Sequence, residues 1–359
     1  MRTRRPSTRT LFPFASPLLN FMDVFELTRA LVDIESVTGG EGLAGRYLYD
    51  YLAPLASRFG GCVERMDVEP GRFNVFACWG ERLTVTLSTH MDTVPPFFAS
   101  REDADHIWGR GACDAKGIIA SMIKAIEALL EAGERDFGVL FVVGEERNSA
   151  GAYRAAATPR GSRYIVNGEP TENKLALGCK GALRYEVAAS GVMAHSAYPE
   201  LGDSAIHKLI EALERMLRIP LPSDPLLGPS TLNIGTISGG RAPNVIADES
   251  RAEILVRLVG DSSETKAKLA DAAGTVDLRE VLELPALHLN ALDGIDTTVV
   301  AYTTDIPAFG GQWGEPFLLG PGSIHVAHTP NEGVPKRQLL EAVAIYQNIV
   351  RQLCKRESK

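Results

Sequence analysis

The chain has 359 residues, which is enough for about two domains of average size. Hydrophobic residues make up 45% of it and charged residues 23%, a composition typical of a globular protein and not of a disordered or membrane-embedded one. The formal net charge of −8 argues against nucleic acid or an anionic membrane as the main partner, and no apolar run reaches the roughly 18 residues of a membrane-spanning helix.

Residues 1–21 carry four arginines and no acidic residue, so they faintly resemble a targeting segment. We interpret them instead as a disordered basic extension, or as a misassigned start that precedes Met22. The five cysteines are an odd number without a CxxC pair, which favours reduced thiols in a cytoplasmic protein over a disulfide framework.

Helix and strand patterns alternate between residues 23 and 166, which predicts an α/β core built on a parallel or mixed sheet. The apolar spacing predicts helices over 23–35, 42–59 and Gly117–Ala132, and strands over Arg72–Trp79, Leu83–Ser88, Gly138–Val143 and Tyr164–Val166.

The order of elements changes after Lys180 to β-α-β-β-α-β, which is the ferredoxin-like arrangement. The α/β pattern returns near Asp296–Thr303 and ends with a helix over Lys336–Leu353. We therefore predict a metal-binding α/β catalytic domain with a central mixed sheet, formed by 22–179 and 287–359. An inserted ferredoxin-like α+β lid, 180–286, interrupts it.

Short motifs rich in acids and histidine follow the predicted strands. They are Ser88–Asp92, Gly111–Gly117, Gly144–Glu146, Gly168–Thr171 and Ala327–Glu332. Imidazole and carboxylate groups of this kind are zinc ligands. His90 and Asp92 share one face of a strand end, so one can bind metal while the other orients the imidazole.

Each of the other motifs permits a simpler interpretation. Asp114 precedes a helix and is either its N-cap or a carboxylate that bridges two metal ions, and Cys113 is an alternative ligand. Glu145 and Glu146 form either a solvated acidic turn or a pair in which one binds metal and the other acts as general base.

Taken together, the motifs resemble the di-zinc amidohydrolase and exopeptidase family, which includes acetylornithine deacetylase, succinyl-diaminopimelate desuccinylase, aminoacylase and glutamate carboxypeptidase. The resemblance extends over residues 23–355 and is strongest to the acetylornithine deacetylase-like branch. It implies two Zn²⁺ ions, with Co²⁺ or Mn²⁺ as substitutes. The implied ligands are His90, Asp114 and Glu169 for one ion, and Asp114, Glu146 and His328 for the other.

The same resemblance selects His328 over His325 and implies a cis peptide bond after Asp114. It makes Asp92 the residue that clamps His90, and Glu145 the general base that serves a zinc-bound hydroxide nucleophile. The family often has Asp where this chain has Gly144.

The lid resembles the family in three positions. His195 matches the histidine that stabilises the oxyanion, in many members from across a homodimer formed by the lid. Asn244 and Arg257 match the residues that hold the substrate carboxylate.

The resemblance therefore predicts a cytoplasmic enzyme of amino-acid biosynthesis that hydrolyses the amide bond of a small N-acyl amino acid, with acetylornithine as the first candidate. A succinyl-diaminopimelate desuccinylase, or a dipeptidase or carboxypeptidase of the same mechanism, is the alternative. A catalytically silent binding protein would have lost Glu145 or a ligand, and this chain lacks neither.

Overall fold

The computed structural model describes residues 22–357, so the extension predicted for 1–21 lies outside the described residues. The α-helices are α1 (Val24–Val32), α2 (Gly42–Phe59), α3 (Lys116–Glu131), α4 (Ala150–Ala156), α5 (Ala205–Leu217), α6 (Ser262–Ala273), α7 (Ile306–Phe309) and α8 (Lys336–Glu357). The first ten strands are β1 (Gly61–Glu69), β2 (Arg72–Trp79), β3 (Val85–His90), β4 (Arg101–Glu102), β5 (His106–Trp108), β6 (Phe137–Val142), β7 (Tyr164–Asn167), β8 (Leu175–Cys179), β9 (Gly181–Ser190) and β10 (Ala194–His195). The others are β11 (Ser223–Asp224), β12 (Gly228–Pro229), β13 (Thr231–Gly239), β14 (Val245–Ile246), β15 (Glu249–Leu258), β16 (Asp277–Leu284), β17 (Leu287–His288), β18 (Thr297–Val300), β19 (Glu315–Leu318) and β20 (Gly333–Pro335).

A six-stranded mixed sheet forms the centre of the fold, in the order β1-β2-β6-β3-β7-β19. β6, β3, β7 and β19 are parallel, whereas β1 and β2 are antiparallel. Every residue of β3, β6 and β7 is buried, as expected for strands that helices cover on both faces. The predicted α/β fold with a central mixed sheet is confirmed.

The parallel strands end at one edge of this sheet. β3 ends at His90, β6 ends just before the Gly144–Glu146 motif, and β7 ends just before Glu169. In open α/β sheets, ligands bind outside the carboxyl ends of the strands. The topology therefore collects three of the five motifs at the edge where a site is expected.

A four-stranded antiparallel sheet in the order β13-β15-β9-β16 lies between the two parts of the α/β fold in sequence. With α5 and α6 it has the β-α-β-β-α-β order and the strand arrangement of a ferredoxin-like unit, and its buried residues form a hydrophobic cluster of their own. The chain enters it from β8 and leaves it through β17, and Cys179 pairs with Leu287 at that point.

The strand β1 was not predicted. Charged residues at 64, 65, 67 and 69 obscure its pattern, because β1 is an edge strand with much of its surface in solvent. No helix between residues 22 and 357 is long and apolar enough to cross a membrane.

Candidate active site

Asp114 lies between two histidines at the carboxyl edge of the central sheet. Its Oδ1 is 2.9 Å from Nε2 of His90, and its Oδ2 is 3.3 Å from Nε2 of His328. Each carboxylate oxygen thus faces a different imidazole, which is the arrangement that a carboxylate bridging two cations requires. The N-cap of α3 is Ala115, so the alternative interpretation of Asp114 as that cap is wrong.

Glu146 completes a compact group of possible metal ligands. Its Oε1 is 2.9 Å from Nε2 of His328, and one ligand atom each from His90, Asp114 and Glu146 lie within 4.8 Å of one another. Glu169 is buried and lines the same pocket as Asp114 and Glu146. All five predicted metal ligands therefore meet at one place.

Asp92 holds the loop that carries the two glutamates. Its Oδ1 and Oδ2 accept hydrogen bonds from the backbone N–H groups of Glu145 (3.1 Å) and Glu146 (3.2 Å), and Oδ2 also accepts one from Thr38. Its Oδ1 lies 3.5 Å from Nδ1 of His90, and that nitrogen is 3.0 Å from the carbonyl oxygen of Asp92. Strand spacing suggested the contact with His90, but the contacts with the glutamate loop join segments 53 and 54 residues apart.

The peptide bond between Asp114 and Ala115 is cis, as the family resemblance implied. Cys113 is buried beside it and donates a hydrogen bond from its Sγ to the carbonyl oxygen of Ser323. The thiol is thus directed toward the backbone of the 323 segment.

Glu332 fixes the loop that presents Asp114. Its Oε1 accepts hydrogen bonds from the backbone N–H groups of Gly111 (2.9 Å), Cys113 (3.3 Å) and Asp114 (3.1 Å). Its Oε2 accepts a 2.5 Å hydrogen bond from the buried guanidinium of Arg110. Glu332 belongs to a motif noted in the sequence, but its separation of 218 positions from Asp114 concealed this positioning role.

The carboxylates of the site repel one another. Burial, assisted by the negative charge of Glu169, raises the pKa of Glu145 well above its usual range. Burial is also the main cause that raises the pKa of Glu169 well above its usual range. Asp305, which had no assigned role in the sequence, is a further buried carboxylate whose charge acts on both, and burial raises its own pKa to about 7.

The negative charge of these carboxylates favours the protonated form of the two histidines. Burial would lower the pKa of His90, but its hydrogen bond with Asp114 is among the interactions that raise it well above the usual range. The hydrogen bond with Asp114 is the main cause that raises the pKa of His328 to about 10.

Between residues 22 and 357, no lysine or arginine forms an ion pair with the four central carboxylates, Asp114, Glu145, Glu146 and Glu169. Carboxylates that lie at least partly out of water without a lysine or arginine partner are costly unless cations compensate them. Two imidazoles and several carboxylates are also ligands that zinc accepts. The residues present therefore fit divalent metal ions.

A pocket of about 350 Å³ joins these carboxylates to the lid sheet. Arg184, Arg257 and Leu282 line it from β9, β15 and β16, together with the acidic residues. The predicted substrate residue Arg257 is thus in the pocket.

His195 and Asn244 do not line this pocket. Both are exposed at another part of the lid, where His195 pairs with Val245 between β10 and β14 and the carbonyl of Asn244 accepts a hydrogen bond from the N–H of Ser196. The chain therefore brings the predicted metal ligands, Glu145 and Arg257 together, and places His195 and Asn244 elsewhere.

Known proteins resemble this chain in sequence. The model of Peptidase family M20/M25/M40 matches residues 86–352. A peptidase M20 domain-containing protein of Schizosaccharomyces pombe is 38% identical, over 91% of this chain and 84% of the relative. A probable carboxypeptidase of Neosartorya fischeri is 36% identical, over 94% of this chain and 86% of the relative.

Solved structures share the fold at lower identity. A tripeptidase from Staphylococcus aureus superposes with a TM-score of 0.76 at 21% identity, covering 92% of this chain and 98% of its own. An M20 family metallo-carboxypeptidase from Sulfolobus solfataricus gives 0.74 at 16% identity, with 91% and 98% covered. A dinuclear metal binding peptidase of the M20 family from Bacillus subtilis gives 0.63 at 17% identity, with 91% and 97% covered.

The contacts of Glu332 lead to a prediction about metal binding. We expect Glu332→Gln to weaken the binding of divalent metal by about 10–100-fold, because the glutamine loses the charge that pairs with Arg110 and one of its two acceptors. Titration of the metal-free protein with Co²⁺, followed by absorbance, measures this affinity. Glu341→Gln, at an exposed position of α8, is the control that should bind normally. Unchanged affinity in a folded Glu332→Gln protein would refute the positioning role.

Proposed function

The chain belongs to Peptidase family M20/M25/M40, and we propose that it is a metal-dependent hydrolase that cleaves the amide bond beside a free carboxylate in small peptides or N-acyl amino acids. One observation carries this proposal: the carboxylates Asp114, Glu145, Glu146 and Glu169 line the same pocket as Arg257. An amide can therefore meet the metal cluster while its neighbouring carboxylate meets the guanidinium.

Two divalent ions, zinc in our proposal, would be held by the ligand sets proposed from the sequence. Asp114 is their shared ligand, and the separate contacts of its two oxygens with His90 and His328 support this role. The similarity to a dinuclear metal binding peptidase of the family agrees with two ions. When bound, such ions polarise a carbonyl group and lower the pKa of water toward about 7.

Glu145 is the general base of the proposed reaction. It lines the pocket, and the hydrogen bond from its N–H to Asp92 fixes its backbone beside the ligand Glu146. Its side chain would take the proton from the attacking water and deliver it to the leaving amine.

Arg257 would bind the substrate carboxylate. Its guanidinium is half-buried, forms no ion pair with a carboxylate between residues 22 and 357, and lines the same pocket as Leu282. A planar guanidinium can bind a carboxylate through two parallel hydrogen bonds.

The substrate itself has two candidates. The sequence favoured an Nα-acetyl amino acid such as acetylornithine, and the name of the relative from Neosartorya fischeri favours the C-terminal residue of a peptide. Both candidates carry the carboxylate that Arg257 would bind. They differ in the group on the acyl side of the amide bond, which is an acetyl group in one and a peptide in the other.

His195 would donate a hydrogen bond to the oxyanion from the partner subunit. It lies beyond Ser190, which pairs with Glu249 at one end of β15, whereas Arg257 lies at the other end. Eight residues of extended strand separate these ends by about 26 Å. The lid therefore cannot bring its own His195 to its own Arg257 while β15 stays intact.

The ring of His195 has an N–H group that can donate a hydrogen bond. Its Nδ1 accepts a hydrogen bond from the N–H of Ala197 at 3.1 Å, so the proton of the neutral ring is on Nε2. Exposed apolar side chains surround it, as at a surface that meets a second copy; they are Val192, Met193, Tyr198 and Leu201.

Glu145→Gln tests the mechanism. We expect kcat to fall by about 10²–10⁴-fold while the metal content stays at the wild-type value, because the side chain of Gln cannot accept the proton from water. Hydrolysis kinetics and elemental analysis of the same preparation measure both quantities. Glu264→Gln, at an exposed position of the lid, should behave as wild type. Full activity of Glu145→Gln would disprove the assignment.

Arg257→Met tests the substrate class on a panel of N-acetyl amino acids, N-succinyl amino acids and dipeptides. We expect KM to rise by about 10–100-fold for substrates with a free carboxylate, because charge-assisted hydrogen bonds are lost. Their carboxamide analogues should be poor substrates of both proteins. Arg251→Met changes an exposed arginine of the same strand and should leave KM unaltered. Equal turnover of acids and carboxamides by the wild type would contradict the proposal.

Mixed subunits test the role of His195. We expect His195→Ala and Glu145→Gln proteins to be nearly inactive alone and to regain activity when mixed, because one of the two sites in a mixed dimer then has both groups intact. The activity of the mixture is measured after the subunits have exchanged. The control is a mixture of the Glu145→Gln and Glu146→Gln proteins. Each chain is then altered in its own carboxylate cluster, so neither site of a mixed dimer is intact and the mixture should stay inactive. If exchanged dimers show no recovery, His195 does not act across the dimer.

A further inference from the structure

Two cysteines face each other at an edge of the central sheet. Cys62 in β1 is the direct partner of Cys78 in the antiparallel strand β2, and their Sγ atoms are 2.8 Å apart. Directly opposed residues in antiparallel strands have Cα atoms about 4.5 or 5.5 Å apart. Both separations fall inside the range of about 4.4–6.8 Å in which disulfides form, so the bond requires no movement of the backbone.

Solvent can reach this pair. Cys62 is exposed and Cys78 is half-buried, and β1 is an edge strand that pairs only with β2 in its sheet. A groove of about 200 Å³ runs along the two sulfur atoms, with Arg82 and Arg160 among its lining residues. Two other cysteines, Cys113 and Cys179, are buried.

We propose that Cys62 and Cys78 are a redox modification site, at which a peroxide converts the thiol pair to a cross-strand disulfide. This inference is independent of the proposed hydrolase activity.

Cys62 is the sulfur that reacts first. It is the more exposed of the two, and burial followed by the hydrogen bond with Cys62 raises the pKa of Cys78 to about 12, which keeps Cys78 a thiol. The Cys62 thiol loses its proton to solvent and the thiolate attacks a peroxide oxygen. The O–O bond breaks, and the departing hydroxide takes up a proton from solvent, so that the products are a sulfenic acid and water. The sulfur of Cys78 then attacks Sγ of Cys62, the S–O bond breaks, and the departing hydroxide takes the thiol proton to form a second water. The two thiols lose two electrons and two protons in total, and the peroxide gains them.

The site is tested on the full-length protein with hydrogen peroxide. The oxidised protein is alkylated, digested without reduction and mapped by mass spectrometry. We expect a peptide pair joined through Cys62 and Cys78, an intact mass lower by two hydrogens, and two fewer reactive thiols after denaturation. Reduction with dithiothreitol should reverse all three changes.

Variants separate this pair from other thiols. Cys62→Ser and Cys78→Ser should each abolish the cross-linked peptide, whereas Cys354→Ser, at a half-buried position of α8, should retain it. The wild-type peptide map decides the question even if a variant does not fold. Oxidation of Cys62 to a sulfinic acid, or to a disulfide between two chains, with Cys78 still a thiol would overturn the proposal.

Discussion

The concentration of buried and half-buried carboxylates at one edge of the central sheet is the constraint that organises this protein. Asp114, Glu145, Glu146 and Glu169 share this place without an arginine or lysine partner between residues 22 and 357. Such a cluster is unfavourable by itself, and it becomes favourable when cations compensate its charge. The fold therefore has to hold these groups rigidly against their own repulsion.

Two acidic residues outside the ligand set provide that rigidity. Asp92 accepts hydrogen bonds from the backbone of both glutamates, and Glu332 accepts three from the backbone around Asp114. Both act on main-chain N–H groups, so they fix where the loops run without competing for the metal position. Arg110 balances the charge of Glu332 and leaves the ligands themselves uncompensated.

Local patterns were sufficient to predict most of this arrangement. Apolar runs identified the buried strands. Parallel strands bring the motifs at their carboxyl ends to the same edge of a sheet. His90, Glu146 and Glu169 could therefore be grouped from the sequence. The strand β1 was missed because an edge strand needs no apolar alternation. The roles of Glu332 and Asp305 depend on contacts between distant segments, and no spacing rule reports such contacts.

The lid separates two of the residues to which we assign roles in the site. A strand is stiff along its length, so β15 keeps Arg257 and the segment around His195 at opposite ends of the same sheet. In the proposed mechanism a single lid would therefore bind a substrate carboxylate or donate to an oxyanion, but it would not do both in one pocket. If both functions are needed in each turnover, hydrolysis is coupled to the association of two chains. In that case the exposed apolar residues around His195 would be needed for hydrolysis as much as the predicted metal ligands, because they would hold the two chains together.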